Sequence, residues 1–300
     1  MTGTTFAYSL SEYVVQIIAG LGAGAVLFLI ASGLTLIFGA LRVINFAHGS
    51  LYMLGAYITF SLTPADGMNN ATFWLVMLGA ALVVAAGSSI MEVFFFRPIY
   101  RRPLLTQLLV TFAFVLIIAG IVREVWGPQS ILTDTPPFLQ GSVVVLDGRV
   151  PKYVFFFMAM AVAVGILLWA LLYKTGLGRM IRAAVSDPVL LGLSGVNVRV
   201  LFTGVFVLAA FFAGLAGAIV SVQGSVSPDF AVDSIIRAFV VVVIGGLGSL
   251  GGAFIAALLV GVAEALGILW VPQASLAIVF AVLVVVLAIR PQGLLGQRTA

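Results

Sequence analysis

The chain has 300 residues, 63% of them hydrophobic and only 8% charged, with a mean hydropathy of +1.27. A soluble domain carries roughly three times that charged fraction, so composition excludes one and defines a polytopic membrane protein set in a lipid bilayer, expected to be all-α from its helix-length apolar runs. Cysteine is absent and His48 is the single histidine, which removes disulfides, thiol chemistry and a Cys- or His-cluster metal site. The net charge of +4 does not indicate nucleic acid, because the basic residues lie between apolar runs, where the positive-inside rule accounts for them.

A membrane span needs about 17 to 25 mainly apolar residues. The opening stretch M-T-G-T-T-F-A-Y-S-L-S-E has neither a basic region ahead of its apolar run nor a small-residue cleavage site, so no removable signal peptide is expected. The first span is predicted from Tyr13 to Ala40, with Gly20 and Gly24 spaced for close helix packing. Leu41 to Tyr57 follows, L-R-V-I-N-F-A-H-G-S-L-Y-M-L-G-A-Y, and a second span runs on from Asn45 to Leu62. Its Arg42, Asn45, His48 and Gly49-Ser50 persist at membrane depth only where protein or water shields them, which makes this break candidate machinery. A third span covers Thr72 to Phe96, with Glu92 in reach of Arg97. The prolines of R-P-I-Y-R-R-P then end one helix and start another, and its arginines assign that loop to the cytoplasm.

The fourth span, Leu104 to Trp126, ends at the adjacent charges Arg123 and Glu124. Gly127 to Lys152 is the longest section of low hydrophobicity and is assigned to the outside, with a hairpin expected at Asp147-Gly148. The fifth span, Tyr153 to Tyr173, leads into a basic loop, residues 174–199, assigned to the cytoplasm. A sixth span, Val200 to Val222, precedes an acidic segment containing Asp229 and Asp233. Then come an apolar run from Ile235 to Ile244, the break G-G-L-G-S-L-G-G, a run from Ala253 to Trp270, a last span from Ala274 to Ile289, and a basic tail. The expectation is one transmembrane domain over residues 1–300 with roughly eight to ten crossings, some interrupted or re-entrant, the N-terminus outside and the C-terminus in the cytoplasm.

The two breaks are alike: Gly49-Ser50-Leu51 is followed by Gly55-Ala56, and Gly248-Ser249-Leu250 by Gly252-Ala253. Paired interrupted helices point to a transport path, which nominates Asn45, His48, Gly49, Ser50, Gly245, Gly246, Gly248 and Ser249. Glu264 joins them, because a carboxylate in an apolar run needs a protein partner or a water-lined wall. His48 has a packing or capping role as its alternative, and the Asn45 amide can bond a freed backbone group or a passing solute. Arg42 reads as an interfacial anchor. No G-x-x-x-x-G-K-[ST] occurs, so transport energy must come from a partner or an ion gradient. No second catalytic group lies at helical spacing from His48 or Glu264, which disfavours an intramembrane enzyme.

Three blocks carry a family resemblance: G-L-T-L-I-F-G-A-L-R-V-I-N-F-A-H-G-S-L-Y-M-L-G-A-Y from Gly33, G-R-M-I-R-A-A-V-S-D-P-V-L-L-G-L-S-G-V-N-V from Gly178, and G-G-L-G-S-L-G-G-A from Gly245. Together they resemble the LivH-type permeases of branched-chain amino-acid ABC importers. The resemblance implies a multi-pass inner-membrane subunit beside a homologous, LivM-like permease. It further implies two cytoplasmic ABC ATPases that bind ATP and Mg, an extracytoplasmic solute-binding protein, and no cofactor on this chain. It makes residues 174–199 an ATPase-coupling loop, with Gly178, Arg179, Arg182, Ala183, Ala184, Asp187 and Gly195 as candidates. Pro188 disfavours helix at Asp187 and can open a new one, so two short helices are predicted there. The implied activity is import of branched-chain amino acids or related small polar solutes by alternating access. The rival is a proton-coupled secondary transporter using Glu264 or His48.

Overall fold

The computed structural model describes residues 9–100 and 102–296. Residues 1–8 of the opening stretch, Arg101 of the arginine-rich loop and residues 297–300 of the tail lie outside the described residues. The elements in order are α1 (Leu10–Leu41), α2 (His48–Leu62), α3 (Asn70–Met91), α4 (Leu104–Trp126), β1 (Ser142–Val145), β2 (Gly148–Pro151), α5 (Lys152–Lys174), α6 (Gly176–Ser186), α7 (Pro188–Leu193), α8 (Val198–Val220), α9 (Phe230–Gly245), α10 (Leu250–Trp270) and α11 (Ser275–Ile289). A π-helical turn, Glu92–Phe96, and a 3₁₀ turn, Arg97–Ile99, extend α3.

Among the described residues, seven helical segments are long and apolar enough to cross a bilayer. The outward side chains of the bundle, among them Leu82, Leu109, Leu116, Ile166 and Val284, are exposed hydrophobics. An apolar outer surface on this scale requires lipid, so the chain is a multi-pass membrane protein. By contrast α2 and α9 have 15 and 16 residues. At about 1.5 Å per residue neither spans the roughly 30 Å hydrocarbon layer alone.

Ser9 starts α1 with a reciprocal cap, accepting from the Glu12 N–H at 3.3 Å while the Glu12 carboxylate accepts from the Ser9 N–H at 2.6 Å. α1 then runs antiparallel along α10: Gly20 meets Val262 and Ala265, Gly24 meets Ala257 and Leu258, and Gly39 meets Gly248. The predicted small-residue spacing of Gly20 and Gly24 is thus a helix-crossing surface. α8 runs antiparallel along α3 in the same way, with Gly214 against Val84 and Thr203 bonded to Glu92. One end of the bundle gathers α6, α7 and the start of α8, and the opposite end carries the β-hairpin.

The order long helix, irregular segment, short helix, long helix occurs twice, as α1, residues 42–47, α2, α3 and as α8, residues 221–229, α9, α10. The packing exchanges the two sets, α1 pairing with α10 and α8 with α3. This corrects the pairing of breaks expected from the G-S-L likeness. Residues 246–249 instead make a tight turn between α9 and α10, where Gly246 and Gly248 hold φ of 97° and 83°. Glycine serves a left-handed turn there and close helix approach at Gly49.

The hairpin forms with Val145 opposite Gly148, so its turn residues are Leu146 and Asp147, one position earlier than expected. Gly148 is instead pressed on the Val15 side chain of α1, where a Cβ has no room. Gly261 tests the central crossing, since it lies on the Gly20 and Gly24 backbones. Gly261→Val should destabilise the protein by roughly 1–3 kcal/mol or more by overpacking. Gly87→Val, with nothing within 4 Å, should be neutral. Heating in detergent and counting the monodisperse fraction measures both.

Candidate translocation site

Arg42 ends α1 in the left-handed conformation, φ 54°, with its N–H on the Phe38 carbonyl at 3.0 Å and its side chain exposed. Residues 43–47 then turn back into the bundle without regular structure. α2 begins at His48, whose Nε2 donates to the Ile30 carbonyl at 3.2 Å and whose ring lies against Gly33. Ile30 is about three turns before the end of α1, so α2 starts about 16 Å inside the bundle. The first turn of α2 satisfies its donors locally, His48 N–H to Asn45 O at 3.2 Å, Gly49 N–H to Phe46 O at 3.3 Å and Ser50 N–H to Ala47 O at 3.0 Å. Irregular backbone at this depth is tolerated because protein encloses it.

Among the described residues, several buried polar atoms around the start of α2 have no hydrogen-bond partner: both amide atoms of Asn45, Nδ1 of His48 and Oγ of Ser50. A buried polar group without a bond costs about 1–3 kcal/mol, so this layer favours a water molecule or a solute that can supply one. Gly49 packs on the Ala231 carbonyl and on Ile235 of α9, while Gly55 and Gly217 bring α2 and α8 into backbone contact. Tyr52 stacks on Phe230 at 5.2 Å. The layer of α2 and α9 is therefore closed both by close backbone approach at the glycines and by the Tyr52–Phe230 stack.

On the hairpin side of this layer lies a cavity of about 420 Å³. Val26, Leu27 and Ile30 of α1 and Val220 of α8 form its apolar wall, and Asp233, Arg237 and Glu264 its charged wall, with Gln223 and Ser225 exposed at the rim. Arg237 Nε donates to Asp233 Oδ2 at 3.1 Å, and its Nη1 donates to Glu264. Glu264 thus has both features weighed for it, a partner and a cavity wall. Arg237 was not singled out from sequence, although an arginine inside the run from Ile235 to Ile244 is the signal that marks it. A second cavity of about 300 Å³ lies toward α6 on the other face of α1, between Thr35, Gly39, Leu172, Arg182 and Gly248.

At the α6–α7 end the two predicted short helices are present. Asp187 separates them and caps α7, accepting from the Val189 and Leu190 N–H groups at 2.9 and 3.0 Å. Gly178 packs on the Leu171 and Leu172 carbonyls, and Gly195 holds φ 88° after α7. Arg179 and Ala183 are exposed, and Arg182 turns back to the Leu172 carbonyl. Ala184 is buried in the bundle, so it anchors α6 and is not on the outer surface expected for it. Glu92, fully buried in the π turn, accepts from Arg97 at 3.1 Å, Tyr100 at 3.1 Å and Thr203 at 2.8 Å. That cluster joins the end of α3 to α8 beneath α7.

Gly245 and Gly246 lie with Gly248 and Ser249 at this same end, Ser249 capping α10 by accepting from the Gly252 N–H at 3.1 Å. The structure therefore brings Asn45, His48, Gly49 and Ser50 together in the centre, puts Glu264 on the cavity wall, and leaves the glycine turn apart from both.

A membrane bundle with a broken helix at its centre, a charged cavity toward one end and a short helical pair at the other is a transporter subunit. The family described as the branched-chain amino acid transport system / permease component matches residues 16–287, and the chain belongs to that family. It is 31% identical to the high-affinity branched-chain amino acid transport system permease protein BraD of Pseudomonas aeruginosa, over 95% of this chain and 96% of that one. It is 29% identical to the LivH protein of the corresponding Escherichia coli system, over 94% and 95%. A shorter likeness, 38% over 103 residues, reaches the fructose import permease protein FrcC of Rhizobium meliloti, covering 32% of this chain and 29% of that one. No solved structure matches the chain. The chain is a permease component of a transport system.

Gly49→Val should stop uptake while leaving the protein in the membrane, because a side chain there meets the Ala231 carbonyl. Gly120→Val, open on every side, should transport normally. Uptake normalised to membrane-inserted protein measures both.

Proposed function

We propose that this permease carries branched-chain amino acids inward as half of an ATP-driven importer in the cell (inner) membrane. It works beside a homologous, LivM-like permease, receives solute from an extracytoplasmic binding protein at the hairpin end, and is driven by two cytoplasmic ABC ATPases at the α6–α7 end. ATP and Mg are bound by those ATPases. On this reading the C-terminus is cytoplasmic, since Leu294 and Leu295 bond to Ile244 and Gly245 at the α6–α7 end.

The observation that carries the reading is α7. Its Val189, Leu190 and Leu193 are exposed, at 71%, 61% and 81%, on an end that also carries Lys174, Arg179 and Arg199. Apolar side chains standing out from a basic end suit insertion in a protein cleft with an acidic rim. The same element is firmly attached: Ile181 and Ala184 are buried, and the buried Glu92 cluster lies under α7. Movement of α7 is then passed to α5 and α8 and on to the α2 and α9 layer, which opens alternately to the two ends.

Leu190→Asp with Leu193→Asp should leave the permease in the membrane and lower binding-protein-stimulated ATP hydrolysis and uptake more than tenfold. Hydrolysis that stays stimulated and coupled to uptake would show that α7 is not the docking element.

A further inference from the structure

We propose that the hairpin-end cavity is itself a recognition site for a zwitterionic α-amino acid, with Arg237 taking the carboxylate and Asp233 and Glu264 the ammonium group. This rests on the importer reading above and adds a selection step within the permease. The first argument is charge. One guanidinium faces two carboxylates, Asp233 at 3.1 Å and Glu264 in direct contact, so the trio carries one excess negative charge on the cavity wall, where the Asp233 side chain is 60% exposed. A purely structural pair needs one carboxylate; with a second beside it the wall offers a cation for a carboxylate and a carboxylate for an ammonium group, and a zwitterion meets both without changing the net charge.

Geometry is the second argument. A guanidinium has five N–H donors in a planar fork suited to a carboxylate, and the pairings with Asp233 and Glu264 use Nε and Nη1. Arg237 and Glu264 sit on different helices, α9 and α10, and both line the cavity. Val26, Leu27, Ile30 and Val220 line the same cavity and offer apolar surface to an aliphatic side chain. The volume of about 420 Å³ falls in the roughly 300–1,000 Å³ range of small-molecule sites.

Entry is an exchange of ion pairs. The incoming carboxylate replaces Glu264 on Arg237, and the released Glu264 joins Asp233 on the incoming ammonium group. No covalent bond changes, and no buried charge is left bare at either stage. A monocarboxylate adds a third negative charge to the one guanidinium and strands a carboxylate, whereas an amine pairs only with Asp233 and Glu264 and gains nothing from Arg237, which sets the selectivity.

The test omits the binding protein, so that any selectivity belongs to the membrane complex. Binding of radiolabelled leucine is measured on the purified permease–ATPase complex, with competition by valine, by 3-methylbutylamine and by 4-methylpentanoate. Valine should compete, and the amine and the acid should each be at least tenfold weaker. Arg237→Gln and Glu264→Gln should each weaken leucine binding at least tenfold, and Arg237→Lys should fall between Arg237→Gln and the unaltered complex. Co-elution with the ATPases shows that each variant is folded. Equal competition by either single-charge analogue, or unaltered binding by folded Arg237→Gln, overturns the site. If the unaltered complex with its binding protein takes up leucine while these results fail, the site alone falls. If it takes up no branched-chain amino acid, the importer reading falls.

Discussion

A polar group inside an apolar bundle must find its partner in the protein or in enclosed water, because lipid offers none, and this requirement shapes the whole chain. It explains why Arg237, Asp233 and Glu264 face one another across a cavity wall, and why Glu92 is buried with three donors around it. The same requirement encloses residues 43–47 within protein, with the first turn of α2 bonding to them. The small residues then follow from the need for enclosure. Gly20, Gly24 and Gly261 let α1 and α10 touch along their backbones, and Gly49, Gly55 and Gly217 do so around α2.

That enclosure also bears on movement. Packed interfaces switch between discrete arrangements rather than deforming continuously, so a small displacement at one end can be passed on as a step. Here the α2 and α9 layer is thin, each helix being too short to span, and both follow irregular segments. The exchange of α1 with α8 and α2 with α9 gives the layer two related halves of opposite direction. The α6–α7 pair is tied to this framework through buried Ile181 and Ala184, so a displacement at one end has a packed route to the centre.

Much of this was legible in the residues. Apolar run length gave the long helices nearly to their ends, Asp187-Pro188 gave the split between α6 and α7, and the polar residues after Leu41 marked the re-entrant segment. Three things were not legible, each for a physical reason. The G-S-L likeness suggested that Gly248 partners Gly49, but one glycine meets a backbone dihedral and the other a close contact, and letters do not separate these. The true counterpart, residues 221–229, shares no motif with residues 42–47, since irregular backbone is specified by its surroundings. Arg237 was absorbed into an apolar run, and its meaning depends on Glu264, which lies 27 positions later on another helix.

The central claim is that the charged wall is bathed by water while the outside of the bundle meets lipid. The chain has no native cysteine, so single-cysteine variants need no background removal. Ala23 is exposed on the cavity wall, and Leu82 is 60% exposed on the outer surface of α3. Labelling with a membrane-impermeant maleimide requires a thiolate, which forms in water and not in hydrocarbon. Ala23→Cys should label from the hairpin side and Leu82→Cys should not. An unreactive Ala23→Cys beside a reactive Leu82→Cys would contradict the account.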